Sequence, residues 1–159
     1  MNPAKWLYRG GRPNWLARAL NRLSATLHAL GIARNYLVTL EVRGRRSGRT
    51  IKLPLVMAVS DGERYLVSML GPGVDWVRNV KAAGGAAVLR HGRREEVCLE
   101  EVPVSQRAAV LKAYLQRAPG ARPHVVVDKD APLPEFELVA GQYPVFRVVP
   151  RNTASPRSA

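Results

Sequence analysis

The chain is poor in the residues that stabilise or load small proteins from outside. Of its 159 residues only one, Cys98, is a cysteine, so no internal disulfide can form. That suits a reducing compartment such as the cytosol. Cys98 sits in the alternating stretch EEVCLEEV, where a lone thiol reads as a small apolar strand residue. The three histidines, His28, His91 and His124, are scattered with no Cys/His spacing, so no metal site is expected. No apolar run approaches the ~20 residues that span a bilayer. Basic residues interrupt every apolar run near the N-terminus, which excludes a signal-peptide pattern. No repeat of solenoid period is present. The expectation is a cytoplasmic protein, with peripheral contact at the inner face of the cell membrane as a further expectation for its N-terminal segment.

Acid is also scarce. Lys and Arg outnumber Asp and Glu by 25 to 12, a formal charge of +13. Such an excess favours nucleic acid, an anionic membrane surface or a polyanionic small molecule as partner. Nucleic acid is not expected, because no strand face interleaves basic and aromatic residues and no helix-turn-helix pattern is visible. With 47% hydrophobic residues, the chain has enough apolar surface for one globular domain with a real core.

Three segments are expected. Residues 1–35 carry six cations and no acid. Asn14 can cap a helix there that ends near Gly31, with Leu16, Leu20, Leu23, Leu27 and Leu30 as one stripe and Trp6 and Trp15 at its entry. Such a basic amphipathic helix either packs on the domain or touches an anionic membrane. Residues 36–150 read as mainly β. Strands are expected at 36–43, 50–60, 63–69, 85–91, 93–102 and 144–150, with Asp61-Gly62 as a hairpin turn and Pro54 marking an edge strand or bulge. A short helix is expected from about Asp75 to Ala83, and a longer one capped by Ser105 and running through Arg117. Residues 118–137 read as a proline-rich loop, and 151–159 as a frayed tail. Six strands joined mostly by turns predict an α+β protein: a small antiparallel barrel decorated by helices, not a parallel α/β sheet.

The densest charge lies in VRGRRSGRTIKLPL, where Arg43, Arg45, Arg46, Arg49 and Lys52 fall within ten residues between two strands. Gly44 and Gly48 permit positive φ, so backbone N–H groups there can converge on an anion, with Ser47 as a further donor. Arginine forks suit phosphate and carboxylate. Composition alone leaves a second reading open: a solvated turn that keeps an edge strand soluble. It is not a Walker loop, since the spacing differs and no helix follows. Downstream, GVDWVRNVKAAG offers Trp76, Arg78 and Asn79 on the short helix, either as packing and solvated face or as part of a site.

The two motifs together, Gly44-Arg45-Arg46-Ser47-Gly48 followed by Lys52 and Pro54-Leu55, and Trp76-Val77-Arg78-Asn79-Val80-Lys81-Ala82, resemble those of the deazaflavin-dependent nitroreductase family. The closing YPVFRV at 143–148 resembles that family's last strand. The resemblance spans roughly residues 36–149. It implies an FMN-binding-like split β-barrel and coenzyme F-420, which joins a deazaflavin ring, a phosphate and an oligoglutamate tail. By the same resemblance Gly44, Arg45, Arg46, Ser47 and Gly48 hold the phosphate and tail. Lys52, Pro54 and Leu55 lead toward the ring. Ser68, Met69 and Gly71 offer backbone along its edge, and Trp76, Arg78 and Asn79 back the site. One departure is that Ile51 stands where the family often has a basic residue, with Lys52 next to it on the opposite strand face.

The implied activity is hydride transfer from reduced F-420 to an apolar, quinone-like or nitro-aromatic acceptor. The cofactor carries the chemistry, which accounts for the lack of a Ser-His-Asp set or carboxylate pair. Tyr143 and Tyr114 are the candidate proton donors. The alternatives are FMN as the cofactor, or a barrel that binds a flavin-like or anionic ligand without turnover. Monomer and homodimer are both compatible with the sequence.

Overall fold

The computed structural model describes residues 36–151. The expected leucine-striped helix, Trp6 and Trp15, and the tail from 152 onward lie outside the described residues. Six strands form a closed antiparallel barrel in the order β1-β2-β3-β6-β5-β4. They are β1 (Leu37–Arg43), β2 (Thr50–Ser60), β3 (Glu63–Val67), β4 (Ala86–Arg90), β5 (Arg94–Glu101) and β6 (Val145–Pro150). Among the described residues three α-helices accompany them: α1 (Asp75–Ala82), α2 (Ala108–Arg117) and α3 (Leu133–Val139).

The period-2 alternation of β1 sends Val38, Leu40 and Val42 into the barrel and Thr39, Glu41 and Arg43 outward. Met57, Leu66, Leu89, Val97, Leu99, Phe146 and Val148 fill the rest of the lumen. One end is closed by α1, whose Trp76, Val77 and Val80 join the same core. Trp76 tilts against Phe146 at 5.7 Å between ring centroids, a contact worth ~1 kcal/mol beyond area burial. A second core lies outside the barrel, where Val110, Leu111 and Tyr114 of α2 pack with Val56, Ala58 and the fully buried Phe136 of α3.

The pairing of β2 is uneven, and this shapes the site. It pairs with β1 from Thr50 to Val56, but with β3 only from Met57 to Ser60. Among the described residues, 50–56 therefore carry no strand on one flank. Pro54, which cannot donate a ladder hydrogen bond, lies within this half-edge. The Asp61-Gly62 hairpin has φ of 50° and 77°, as a tight primed turn requires.

Several local expectations need correction. The segment 118–137 is not loop throughout: Pro119–His124 form a 3-10 helix, and α3 begins at Leu133. Pro134 is tolerated because a first-turn N–H has no intrahelical partner to lose. Ser105 caps nothing. It lies in the 3-10 turn Val104–Gln106, and α2 starts at Ala108 behind Arg107. Arg107 is buried, with Nε donating to Val102 O at 2.8 Å and Nη1 to Ala140 O and Tyr143 O at 3.2 and 3.3 Å. That fork ties the end of β5 to the chain entering β6, and Ser105 could not do the same work.

The helix α1 ends at Gly84 and Gly85, with φ of 63° and 88°, and Gly85 N–H donates to Val80 O. A Cβ on Gly85 would lie 2.6 Å from Leu99 O, whereas one on Gly84 meets nothing within 4 Å. Gly85→Ala should therefore cost about 3 kcal/mol and Gly84→Ala about 1 kcal/mol. Urea unfolding of the two variants measures the difference, and equal losses would show that the approach to Leu99 is not tight.

Candidate functional site

The basic turn links β1 to β2. Its glycines act for different reasons. Gly48 is left-handed, at φ 69°. Gly44, expected to be left-handed as well, is not. A Cβ there would lie 2.7 Å from Ser47 Oγ and 2.9 Å from Ile51 Cδ1, so it is steric room that position 44 requires. Most of the turn's N–H groups are already used. Gly44 N–H donates to Arg49 O at 2.8 Å, Gly48 N–H to Gly44 O at 2.9 Å, and Arg49 N–H to Ser47 Oγ at 3.2 Å. Arg45 N–H donates to Asn79 Oδ1 at 3.1 Å. The N–H groups of Arg46 and Ser47 bond to no described residue.

The cations divide in the same way. Arg45 turns back to α1, with Nη1 donating to Asn79 Oδ1 at 2.8 Å and Nη2 3.2 Å from Asp75. Lys52 stands opposite Glu41 on the outer wall of the barrel, its Nζ 3.4 Å from that carboxylate. The neighbouring Ile51 is paired with Val42 on the other face. Arg43, Arg46, Arg49 and Arg78 are exposed and form no ion pair with a described residue. Arg78 lies close to Gly73.

Beside the turn, the half-edge of β2 holds Leu53, Pro54 and Leu55, all half-buried. Continuing the β2–β3 register past Met57 and Leu66 would set Ser68 opposite Leu55. The β2–β3 ladder stops short of this pair: Ser68 N–H extends the β6 side of β3 to Pro144 O at 2.9 Å, its hydroxyl donates to Gly71 O at 2.6 Å, and the chain turns at Gly71, φ 91°. The β2–β3 seam ends there. Leu55 and Leu70, on the two sides of this end, both pack against the lumen core. Met69 packs against the outer core.

Other expected residues are occupied by the fold itself. Trp76 is 5% exposed in the lumen core, and Asn79 is 1% exposed with its Oδ1 bonded to Arg45. The Tyr143 hydroxyl donates to His124 O at 3.4 Å and accepts from Val126 N–H at 3.3 Å. Tyr114 lies in the outer core, where burial pushes its phenol up. Sequence reasoning missed Asp75 and Arg107 as charge partners. Only a contact between distant segments reveals either. Among the described residues no cluster of His, Cys, Asp or Glu could hold a metal, and no helix is long and apolar enough to cross a membrane.

The fold is the split β-barrel shared with flavin and deazaflavin reductases. The chain belongs to the F-420H(2)-dependent quinone reductase family, whose model matches residues 18–133. It is thus an F-420-dependent reductase. Solved structures of similar fold include a conserved hypothetical protein from Mycobacterium tuberculosis, with 16% identity over 80% of this chain and 79% of that one and a TM-score of 0.54. A protein of unknown function from Agrobacterium tumefaciens has 11% identity over 77% of this chain and a TM-score of 0.53, and this chain spans 53% of its length. A heme binding protein from Mycobacterium smegmatis has 12% identity over 74% of this chain and a TM-score of 0.50, and this chain spans 47% of it. No curated protein matches in sequence.

On the wall beside the site, Glu41 is held below the ordinary carboxylate range, chiefly by its hydrogen bond to Arg90, then by the charges of Arg90 and Lys52. A lowered folded-state pKa contributes stability above the unfolded pKa, and that stability is lost as pH falls through the folded value. Between about pH 7 and about pH 3.5 the urea midpoint of the native chain should therefore fall more than that of Glu41→Gln. Parallel pH profiles would show Glu41 to be uncoupled.

Proposed function

We propose that the chain reduces a quinone-like, apolar acceptor with hydride from reduced F-420, and that the basic turn and the split seam hold the cofactor. The observation that carries this is the division of charge at the turn. Arg45 is spent inside the fold, while Arg46 and Arg49 are exposed and the N–H groups of Arg46 and Ser47 bond to no described residue. Such a set fits a ligand with one phosphate and several carboxylates, each charge-assisted contact contributing ~1.5–3 kcal/mol. Gly44 and Gly48 keep the turn's backbone close enough for such contacts, Arg78 adds charge from α1, and Trp76 and Asn79 support the turn from below. Lys52 serves from the outer wall through Glu41.

When bound, the cofactor supplies two electrons as one hydride. The chain's own part is to bind, orient and exclude water. The half-edge at Leu53, Pro54 and Leu55 gives the ring an apolar wall, and the turn at Ser68, Met69 and Gly71 gives it backbone on the other side. Tyr143 is bonded to backbone and Tyr114 is buried, which favours water as the source of the proton that completes the quinol. Nitro-aromatic compounds of similar shape fit the same reading as acceptors. A second reading, a barrel that binds its ligand without turnover, draws on the fold likeness to the heme binding protein.

Fluorescence titration with F-420, FMN and FAD tests cofactor choice. F-420 should bind most tightly, and Arg46→Ala/Arg49→Ala should weaken it ~10–100-fold, less so in high salt. FMN binding as tight as F-420, or an unchanged double variant, would contradict the assignment. Anaerobic mixing of reduced F-420 with menadione separates the two readings, because only a reductase bleaches the reduced-cofactor signal faster than the blank.

The peripheral membrane contact is proposed for residues 1–35, on their six cations and leucine stripe. The full chain should sediment with vesicles rich in anionic lipid and remain in solution with neutral ones. Equal recovery from both would remove the membrane from the account.

A further inference from the structure

Asn79 is one of few buried polar side chains, 1% exposed, and it lies on the inner face of α1 beside Trp76 and Val80. A buried amide needs its partners. Its Oδ1 accepts two hydrogen bonds, both from one residue of the basic turn: the Arg45 backbone N–H at 3.1 Å and Arg45 Nη1 at 2.8 Å. The other arm of the same guanidinium meets Asp75 at 3.2 Å, one turn earlier on the helix. Two residues of α1 thus grip both the main chain and the side chain of Arg45, 34 and 30 positions away. An arginine near a helix N-terminus is unfavourable for the macrodipole. Asp75 in the first turn offsets that.

Arg45 directly precedes the two residues whose N–H groups bond to nothing described, Arg46 and Ser47. The far side of the turn is pinned separately, by Gly44 to Arg49 and by Gly48 to Gly44. With Arg45 held to the helix, the peptides after it have little freedom to rotate. Releasing Arg45 would free the N–H groups at 46 and 47 and place a fifth unpaired cation beside Arg43, Arg46, Arg49 and Arg78.

We infer that Asn79, with Asp75, is a positioning residue that acts through Arg45. It latches the basic turn to α1 so that the Arg46 and Ser47 N–H groups are pre-aimed at the anionic part of the cofactor, without touching the cofactor itself. The inference rests on the reading of the turn as the cofactor's anion site. Pre-organisation lowers the ordering cost of binding, so its loss weakens the phosphate and tail and spares the ring.

Two readouts test it. In cofactor-free protein, amide hydrogen exchange at Arg45 should speed up at least ~10-fold in Asn79→Leu and stay near wild type in Asn79→Asp, which keeps an acceptor oxygen. Asn79→Leu should weaken F-420 ~10-fold or more, while binding of the deazaflavin ring with its ribityl chain but no phosphate or tail changes less than about threefold. Should Asn79→Leu not fold, Asn79→Ala serves for the exchange readout, and Arg45→Met, at a side chain 19% exposed, gives the same split between the two ligands. The double variant should be no weaker than the worse single one. Unchanged exchange at Arg45, or equal weakening of both ligands, would overturn the latch. Wild-type protein that binds neither ligand would sink the function reading instead, and the exchange data would still judge the latch.

Discussion

The change of partner at Met57 in β2 is the constraint on which the site depends. Up to Val56 the strand pairs, among the described residues, with β1 alone, and only its last four residues close the barrel against β3. The register would carry the seam further, but β3 ends at Val67, Ser68 N–H extends only the β6 ladder to Pro144 O, and the chain turns at Gly71. A proline in the half-edge removes one donor that would otherwise call for a neighbour. Among the described residues one flank of Leu53, Pro54 and Leu55 therefore carries no strand, and the cofactor slot we propose lies along it, with the cationic turn at the same end of β2. A barrel zipped along its whole length would offer a ligand no such entry.

Crowding of like charge is the second constraint. Five cations within ten residues repel one another, and the fold disposes of them unequally. Lys52 goes to the outer wall, where Glu41 takes it together with Arg90. Arg45 goes inward, to Asn79 and Asp75. What remains on the surface is a cluster that an anionic ligand would relieve. On the proposed reading, stability and binding draw on neighbouring arginines in opposite ways: Arg45 fixes the turn, and Arg46 and Arg49 attract the anionic ligand.

Much of the barrel was legible before the structure. Alternation in LVTLEVR, the Asp61-Gly62 turn and the glycine pair after α1 marked strands and boundaries to within a few residues, because each is a local signal. The short α3 was not, since a proline at its start and only seven residues conceal its period. Ser105 misled for a similar reason: a good capping residue stood near the helix, but the buried Arg107 set the start from a distance. At the site, the motif residues were visible and their partners were not. Nothing local in sequence ties Arg45 to Asn79, 34 residues away, and the room that Gly44 needs beside Ser47 and Ile51 shows only in the folded geometry of the turn itself.

A crystal of the protein soaked with F-420 tests the central claim most directly. The account predicts phosphate density within hydrogen-bond distance of the Arg46 and Ser47 N–H groups, and ring density in the slot between Pro54-Leu55 and the Ser68–Gly71 turn. Density for the cofactor anywhere else, with the turn and the slot both empty, would contradict it.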